Sequence, residues 1–286
     1  ITYEGQLSLK TQKVKDVIER IGHQNPDLVK PALGPKEPWA YRNKMQMPVG
    51  GARGDIQMGF YAMGSHDIVQ GTNCPIQDEG NNTIAQVCYD IAKELDVEPY
   101  DEHTGKGVLR HVIGRIGQSG WMVILVTATE HLPHQEEWVE RITNRIPQVE
   151  TIVHNVNGKR TNVILGPINH VLYGDGTITD HIKDLQFTLS PHSFFQVNPE
   201  QTTVLYDQAL AYADLKGNET VIDAYCGTGT ISLFLAHKAK HVIGIEIVEP
   251  AIINARENAR NNGYDNTEFI VADAAVEMPK LYKAGV

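Results

Sequence analysis

Apolar residues recur at every third or fourth position near the start of the chain, and the same spacing returns between residues 84 and 95. This period is that of a helix with one buried face. A glycine, Gly22, follows the first run and is a typical helix stop. The sequence therefore predicts two amphipathic helices, with a segment rich in proline and glycine between them. The apolar positions of the first helix are Leu7, Val14, Val17, Ile18 and Ile21.

Between residues 34 and 190, short apolar runs alternate with turn-forming residues. Asn157-Gly158 and Asp175-Gly176 favour the positive φ angles of tight hairpin turns. We expect an antiparallel α+β domain over residues 34–190, preceded by a helix and connector over residues 1–33 that pack on the C-terminal domain. The runs that predict strands are 108–116, 121–129, 151–156, 161–165, 168–173 and 185–189.

From residue 191 onward, the pattern predicts alternating helices and strands. Asn198 can cap a helix that begins at Pro199, and Gln201 can complete a capping box. The buried face of this helix is predicted to hold Val204, Leu205, Ala209, Tyr212 and Ala213. Strands at 220–224, 241–247 and 267–271 alternate with helices at 231–239 and 250–261.

This alternation predicts a parallel, Rossmann-like α/β domain over residues 191–286. Three strands are too few for a complete open sheet of this type, so we expect the domain to continue beyond residue 286. The predicted fold class is α/β: an incomplete Rossmann-like domain preceded by the antiparallel α+β domain.

Composition narrows the class of protein. The chain has 286 residues, 41% of them hydrophobic, and a formal charge of -10. These values describe a protein that builds a core, and the length suits two domains. No apolar run is long enough for a membrane span, and the first residues do not resemble a signal peptide. The three cysteines, Cys74, Cys88 and Cys226, form no disulfide framework, which favours a reducing, cytoplasmic location.

The segment VIDAYCGTGTISLFLAHKAKHVIGIEIV carries the most informative chemistry. Asp223 ends a strand, and Gly227 and Gly229 allow the backbone to approach a ligand closely. Glu246 lies 19 residues after Gly227, at the end of the next strand. A carboxylate there can accept hydrogen bonds from both hydroxyls of a ribose.

The dinucleotide-binding fingerprint has a third glycine at the position of Ser232. A pyrophosphate is therefore disfavoured, and S-adenosylmethionine, which also contains a ribose, is the alternative. Asp273 ends the third strand and is placed to meet the adenine. The spacing by itself leaves a methyl donor and a dinucleotide about equally open, and a tight turn without a ligand is a third reading.

A second segment, SPHSFFQVNPEQ, places Gln196 beside Phe194 directly before the capped helix. Together with YEGQLSLK, AYRNKMQMPVG, GFYAMGSHDIV, DAYCGTGTISL and GIEIV, it resembles the S-adenosylmethionine-dependent RNA uridine-C5 methyltransferases. The resemblance covers essentially the whole chain. It is closer to the 23S ribosomal RNA enzymes of Gram-positive bacteria than to the transfer RNA enzyme.

The resemblance implies roles for particular residues. Gln196, Tyr225 and Glu246 would bind S-adenosylmethionine, with Gly227 as the glycine of closest approach. Thr230 stands where some members have an asparagine that touches the methionine moiety, which puts that contact in doubt.

On the RNA side, the resemblance places Phe194 against a flipped-out base and Arg42, Asn43 and Lys44 along the RNA path. The implied partner is 23S ribosomal RNA, with no membrane or DNA. Cys74 resembles the last of four cysteines that hold a 4Fe-4S cluster in some members, and the other three would lie before Ile1. Otherwise, Cys74 is a small buried hydrophobic residue.

The implied reaction needs a thiolate that adds to C6 of uracil, so that C5 can accept the methyl group. In the family, this cysteine and a carboxylate base follow an Asp-Pro-Pro-Arg-like segment that does not occur in this chain. Cys226 is not taken as the nucleophile, because it would face the donor. We therefore predict no catalytic residue within the 286 residues and no turnover by them alone. An NAD-dependent dehydrogenase and a non-catalytic RNA-binding module are the alternatives.

Overall fold

The computed structural model describes all 286 residues. A first helix, α1 (Tyr3–Arg20), is followed by a short 3-10 turn at Pro26–Leu28. The central part consists of β1 (Lys44–Ala52), β2 (Asp55–Tyr61), β3 (Ile68–Gln70), α2 (Glu79–Glu94), β4 (Leu109–Ile116), β5 (Trp121–Thr127), α3 (Gln135–Arg145), β6 (Val149–Val156), β7 (Ile168–Tyr173), β8 (Ile178–Ile182) and β9 (Leu185–Leu189). The C-terminal part consists of α4 (Pro199–Ala213), β10 (Thr220–Ala224), α5 (Thr230–Ala236), β11 (His241–Glu246), α6 (Glu249–Asn261), β12 (Thr267–Val271) and α7 (Ala274–Lys283).

The first predicted helix is confirmed as α1. Its N-terminus is capped by Thr2, whose hydroxyl accepts a hydrogen bond from the N–H of Gly5 at 3.2 Å. None of its residues is fully buried, and the helix packs on the turn at Pro26–Leu28. Its packing on the C-terminal domain stays a prediction. No helix of the fold has both the length and the apolar character needed to cross a membrane.

The central sheet has seven strands in the order β3-β2-β1-β4-β5-β6-β7. The sheet is antiparallel as predicted except at one place, where β5 and β6 pair in parallel. The crossover between them contains α3, which the sequence did not predict. This helix buries only Trp138 and Ile142, so its apolar period is too weak to stand out from the charged residues around it.

Two other strand predictions need correction. Residues 161–165 form no strand, because the side-chain amide of Asn157 donates to the carbonyls of Val163 and Ile164, at 2.6 and 2.9 Å. β8 was missed because Asp180 stands at a buried position between two isoleucines. β8 and β9 form their own hairpin, so Asp175-Gly176 does not join two paired strands.

The two faces of the central sheet have different coverings. α2 and α3 cover one face, where Met45, Ile84 and Trp138 belong to one buried cluster. The other face packs against the β8–β9 hairpin and the C-terminal part, and Ile124 and Phe187 share a second cluster with residues of α5 and α6. The C-terminal part is thus joined to the central sheet by a continuous apolar core.

The C-terminal sheet has three parallel strands in the order β10-β11-β12. This confirms the Rossmann-like fold class, while continuation of the sheet beyond the chain stays a prediction. The predicted cap of α4 is also present, since Asn198 Oδ1 accepts the N–H of Gln201 at 3.0 Å. Because the carboxyl ends of parallel strands share one edge, the segments after β10, β11 and β12 meet there.

The stability of the central domain is expected to fall in acid because of His111 on β4. This ring is 6% exposed, and burial, aided by Arg110, lowers the pKa of His111 to about 4. An unfolded histidine titrates near pH 6.5, so the unfolded chain binds more protons between these values. Stability from the neutral ring is therefore present above about pH 6.5 and lost as pH falls towards about 4.

We expect the free energy of unfolding in urea to fall by roughly 2–3 kcal/mol more over this range in the wild type than in His111→Gln. Burial also lowers the pKa of His154 to about 4. His154 therefore adds the same pH dependence to the free energy of unfolding of the wild type and of the variant. The exposed His103→Gln is the matched control and should follow the wild type. Equal pH dependence of His111→Gln and the wild type would contradict the prediction.

Candidate functional site

The loop between β10 and α5 has an unusual backbone. Gly227 and Gly229 have φ angles of 55° and 79°, and Tyr225 has a φ of 66°, a region that side-chain-bearing residues seldom adopt. A Cβ atom at Gly229 would lie 3.0 Å from Phe269 Cζ, whereas one at Gly227 would meet nothing within 4 Å. Gly229 is thus required by packing, and Gly227 borders open space.

Glu246, at the end of β11, is bound to this loop. Its Oε2 accepts the N–H of Gly227 at 3.2 Å, and its Oε1 accepts the N–H of Val248 at 3.0 Å. The N–H of Cys226 continues the β10–β11 pairing by donating to the carbonyl of Ile245 at 3.0 Å. The structure therefore brings together the two residues, Gly227 and Glu246, that the sequence singled out. Each carboxylate oxygen has a second lone pair and can accept a further hydrogen bond.

Ser232, the position that departs from the dinucleotide fingerprint, has a structural role that the sequence did not reveal. Its fully buried hydroxyl donates to Asp223 Oδ2 at 2.5 Å. Burial raises the pKa of Asp223, and the bond from Ser232 opposes that rise. A glycine at position 232 would leave this carboxylate without that donor.

Gln196 lies near Tyr206, a residue that contacts the start of α5. It precedes α4, whose Tyr206 hydroxyl is 2.9 Å from Thr230 Oγ1. Burial raises the pKa of Tyr206, while hydrogen bonds from Thr230 and from Gln196 lower it. Tyr206 and Thr230 therefore form a hydrogen-bonded pair at the end of the glycine loop, and Gln196 lies near Tyr206.

Tyr206 was missed because the predicted buried face of α4 is wrong. The helix buries Thr202 and Tyr206, whereas Leu205 is 59% exposed and Tyr212 is 71% exposed. The spacing of Thr202, Tyr206 and Leu210 at every fourth position was the available signal, and the polar threonine obscured it.

Asp273 lies at the same edge of the C-terminal sheet. It follows β12 and caps α7, where its Oδ1 accepts the N–H of Ala275 at 2.8 Å. The N–H of Ala272 donates to the carbonyl of Glu246 at 3.0 Å, so the two acidic residues stand beside each other in the fold. Asp273 is exposed, and only its Oδ1 is used by the cap, so Oδ2 can accept a hydrogen bond from a ligand at this edge.

The residues predicted to contact RNA lie on or beside the loop that carries Gln196. Phe194 is 70% exposed, whereas its neighbour Phe195 is buried. The N–H of Asn43 donates to the carbonyl of Val197 at 3.0 Å, so the start of β1 contacts the loop that carries Gln196. The structure thus brings Arg42, Asn43 and Lys44 to this loop. Their contact with RNA stays a prediction.

Cys74 stands apart from the other two cysteines. Its N–H donates to Asn82 Oδ1 at 3.0 Å, and its side chain is partly exposed rather than buried. Cys88 is fully buried in α2, and no group of three or more metal-binding side chains exists in the chain. The residues present therefore do not form a 4Fe-4S site by themselves, and a ligand role for Cys74 stays a prediction.

The thiol of Cys226 should not react with alkylating reagents in the folded protein. Burial, with Asp223 and Glu246 nearby, raises its pKa to about 12, so almost no thiolate exists at mildly alkaline pH. Peptide mass spectrometry after iodoacetamide treatment should find Cys226 unmodified in the native protein and modified in urea. Modification of Cys226 in the native protein at the rate seen in urea would contradict its burial.

Comparison with known proteins finds methyltransferases among the relatives of this chain. Residues 215–285 match a family model described as a methyltransferase domain. An uncharacterized RNA methyltransferase of Halalkalibacterium halodurans is 51% identical over the whole chain, and one of Clostridium tetani is 46% identical. This chain is therefore similar to RNA methyltransferases along its whole length. It spans 63% of the first relative and 62% of the second.

A solved structure shares the fold of this chain. It is the tRNA (uracil-54, C5)-methyltransferase of Pyrococcus abyssi in complex with S-adenosyl-L-homocysteine, with a TM-score of 0.78. The match covers 96% of this chain and 64% of the solved chain, at 24% sequence identity. At this identity, the likeness concerns the arrangement of helices and strands.

Proposed function

We propose that the chain provides the donor-binding site and RNA-facing surface of an S-adenosylmethionine-dependent RNA methyltransferase that acts on C5 of uridine. The observation that carries the proposal is the bond between Glu246 and Gly227, with Gln196 and Tyr206 beside the same loop. S-adenosylmethionine is a nucleoside with an attached amino acid. In the proposed complex its ribose lies at Glu246 and its methionine part lies at Tyr206, on the two sides of the loop.

The charge of the site favours a sulfonium donor over a dinucleotide. Asp223, Glu246 and Asp273 are carboxylates that lie at or near one edge of the sheet. They would attract the positive sulfonium and repel the pyrophosphate of NAD. In the proposed complex, Glu246 binds the ribose, Asp273 lies near the adenine and Tyr225 offers an exposed ring. Gln196, Tyr206 and Thr230 lie at the methionine end, where the bound donor supplies an electrophilic methyl group.

We further propose that the substrate is 23S ribosomal RNA. The proposal is supported by the resemblance of the SFFQVN and AYRNKMQMPVG segments and by the RNA methyltransferases among the relatives. Phe194 is exposed and can stack on a base, and Arg42 and Lys44 supply positive charge near it. A base inside a folded RNA must be turned out to reach the donor.

The nucleophile for C6 is not found among these 286 residues. Cys88 is fully buried, and burial raises its pKa to about 12. Cys226 has a similarly raised pKa, and Cys74 lies on the loop before α2, where its N–H donates to Asn82 Oδ1. We therefore propose that the chain by itself binds its ligands without turnover.

Isothermal titration with S-adenosylhomocysteine tests the donor site. We expect binding of this compound by the chain and no binding of NADH. Binding of NADH without binding of S-adenosylhomocysteine would favour the dehydrogenase instead. Binding of RNA with no affinity for either small molecule would favour a non-catalytic RNA-binding module.

A methylation assay tests the substrate. The protein is incubated with labelled S-adenosylmethionine and transcripts of 23S ribosomal RNA or transfer RNA, and 5-methyluridine is located by mass spectrometry. We expect no product from the 286 residues alone. Formation of 5-methyluridine by these 286 residues would contradict the absence of a nucleophile. In any form of the protein that is active, 5-methyluridine found only in transfer RNA would contradict the 23S assignment.

A further inference from the structure

Two cations face each other in the central sheet without a counter-ion. Lys44 on β1 and Arg115 on β4 are direct cross-strand partners. Arg115 is 4% exposed and Lys44 is half-buried, and neither forms an ion pair with a carboxylate. Like charges placed directly opposite each other in a sheet destabilise it, and buried charges are normally paired. No carboxylate of the chain offsets the charge of this pair.

The pKa values of both side chains are lowered. Burial, together with the charges of Arg115 and Arg42, lowers the pKa of Lys44 to about 8. Burial likewise lowers the pKa of Arg115 to about 10. Asp180 forms no ion pair with either cation; its Oδ1 accepts the N–H of His181 at 2.8 Å, and its Oδ2 accepts the side-chain amide of Asn43 at 3.4 Å.

Arg115 also holds the loop that carries Gln196. Its Nη2 donates to the carbonyls of Ser193 and, at 3.4 Å, of Pro191, while its buried Nε has no partner. Residues 191–197, which we call the donor-side loop, therefore rest on a side chain of the central sheet. A structural tie of this kind needs only one cation, so it does not explain why Lys44 stands next to Arg115.

We propose that Lys44 binds one phosphate group of the RNA, and that Arg115 couples this binding to the donor-side loop. This inference rests on the proposed function and adds a route between the two ligands. A phosphate at Lys44 neutralises the positive charge of the Lys44 ammonium beside Arg115. The weaker repulsion stabilises the guanidinium in the position that supports the donor-side loop. Gln196 is then held towards Tyr206 and Thr230, so RNA and donor strengthen each other's binding.

The salt dependence of RNA binding tests the phosphate contact. Each phosphate neutralised in a single strand adds about -0.7 to the slope of log K against log salt concentration. With a fluorescent oligouridylate as the probe, we expect Lys44→Gln to reduce the steepness by about 0.7 and to weaken binding about tenfold at low salt. The matched control is Lys93→Gln, on α2 at the opposite face of the sheet, which should keep the wild-type slope.

The coupling itself is measured by titrating S-adenosylhomocysteine with and without saturating oligouridylate. For the wild type, we expect the RNA to tighten binding about fivefold or more. Arg115→Lys keeps the charge but loses the planar guanidinium that reaches two carbonyls. The ratio of the S-adenosylhomocysteine affinities with and without RNA should therefore fall towards one in this variant. A merely structural role would instead weaken S-adenosylhomocysteine equally with and without RNA.

The outcomes separate this inference from the proposed function. A wild-type protein that binds no S-adenosylhomocysteine overturns the donor site, and one that binds no oligouridylate at low salt overturns the RNA site. If both bind, but Lys44→Gln keeps the wild-type slope, the phosphate contact and the coupling that depends on it are overturned, while the proposed function stands. If Arg115→Lys keeps the wild-type ratio, only the coupling is overturned. If Arg115→Lys does not fold, the ratio measured in Lys44→Gln decides, since loss of the phosphate should also abolish the coupling.

Discussion

Replacing Glu246 by glutamine is expected to lower the affinity for S-adenosylhomocysteine about 100-fold, or about 2.7 kcal/mol. The carboxylate accepts the N–H groups of Gly227 and Val248 and, in the proposed complex, both hydroxyls of the ribose. A glutamine has a single acceptor oxygen, and its amide would present donors to groups that are themselves donors. Hydrogen bonds to a charged group contribute about 1.5–3 kcal/mol each, so this loss exceeds that of an exposed contact.

The matched control is Glu249→Gln, because Glu249 is an exposed acidic residue in the first turn of α6. Calorimetry should give it the wild-type affinity. Thermal unfolding of both variants checks that the fold is retained. Equal affinities of Glu246→Gln and the wild type would remove Glu246 from the donor site.

Replacing Gly227 by alanine is expected to have a small effect on stability and a large effect on donor binding. A Cβ at this position would meet nothing within 4 Å, so the fold bears only the strain of a positive φ, about 1–2 kcal/mol. In the proposed complex, the donor fills that open space, and the methyl group would displace it from Glu246. We expect an affinity loss of at least about tenfold by calorimetry, or about 1.4 kcal/mol.

Gly263→Ala provides the comparison for backbone strain alone. Gly263 follows α6, has a φ of 74° and also has nothing within 4 Å of an added Cβ. The two variants should therefore lose similar free energy of unfolding in urea. Only Gly227→Ala should lose affinity for S-adenosylhomocysteine, and parallel losses in both variants would show that strain, not a steric block, is responsible.

The features predicted best depend on short stretches of chain. The cap of α4 by Asn198 and the placement of Gly227 beside Glu246 follow from one turn or one strand–helix–strand unit. Within such a unit the connection is right-handed almost without exception, so sequence spacing translates directly into position. The fold class of the C-terminal part could therefore be predicted from its alternating pattern.

The features predicted poorly depend on what a segment meets after folding. The α4 face was misjudged because Tyr206 is buried against α5, which lies beyond the helix's own pattern. The parallel pairing of β5 with β6 was missed because α3 is mostly charged. Residues 161–165 have the composition of a strand, yet the Asn157 side chain takes two of their carbonyls.

The sequence by itself determined the order of helices and strands in the C-terminal part, the glycine loop with its distant acidic partner, and the resemblance to RNA methyltransferases. Local periodicity and turn chemistry are encoded within a few residues, so they can be read before the chain folds. Only the tertiary structure decided that Lys44 stands against Arg115, and that Arg115 supports the loop bearing Gln196. These contacts join residues far apart in the chain, because sheet register and the packing of two domains determine which side chains meet.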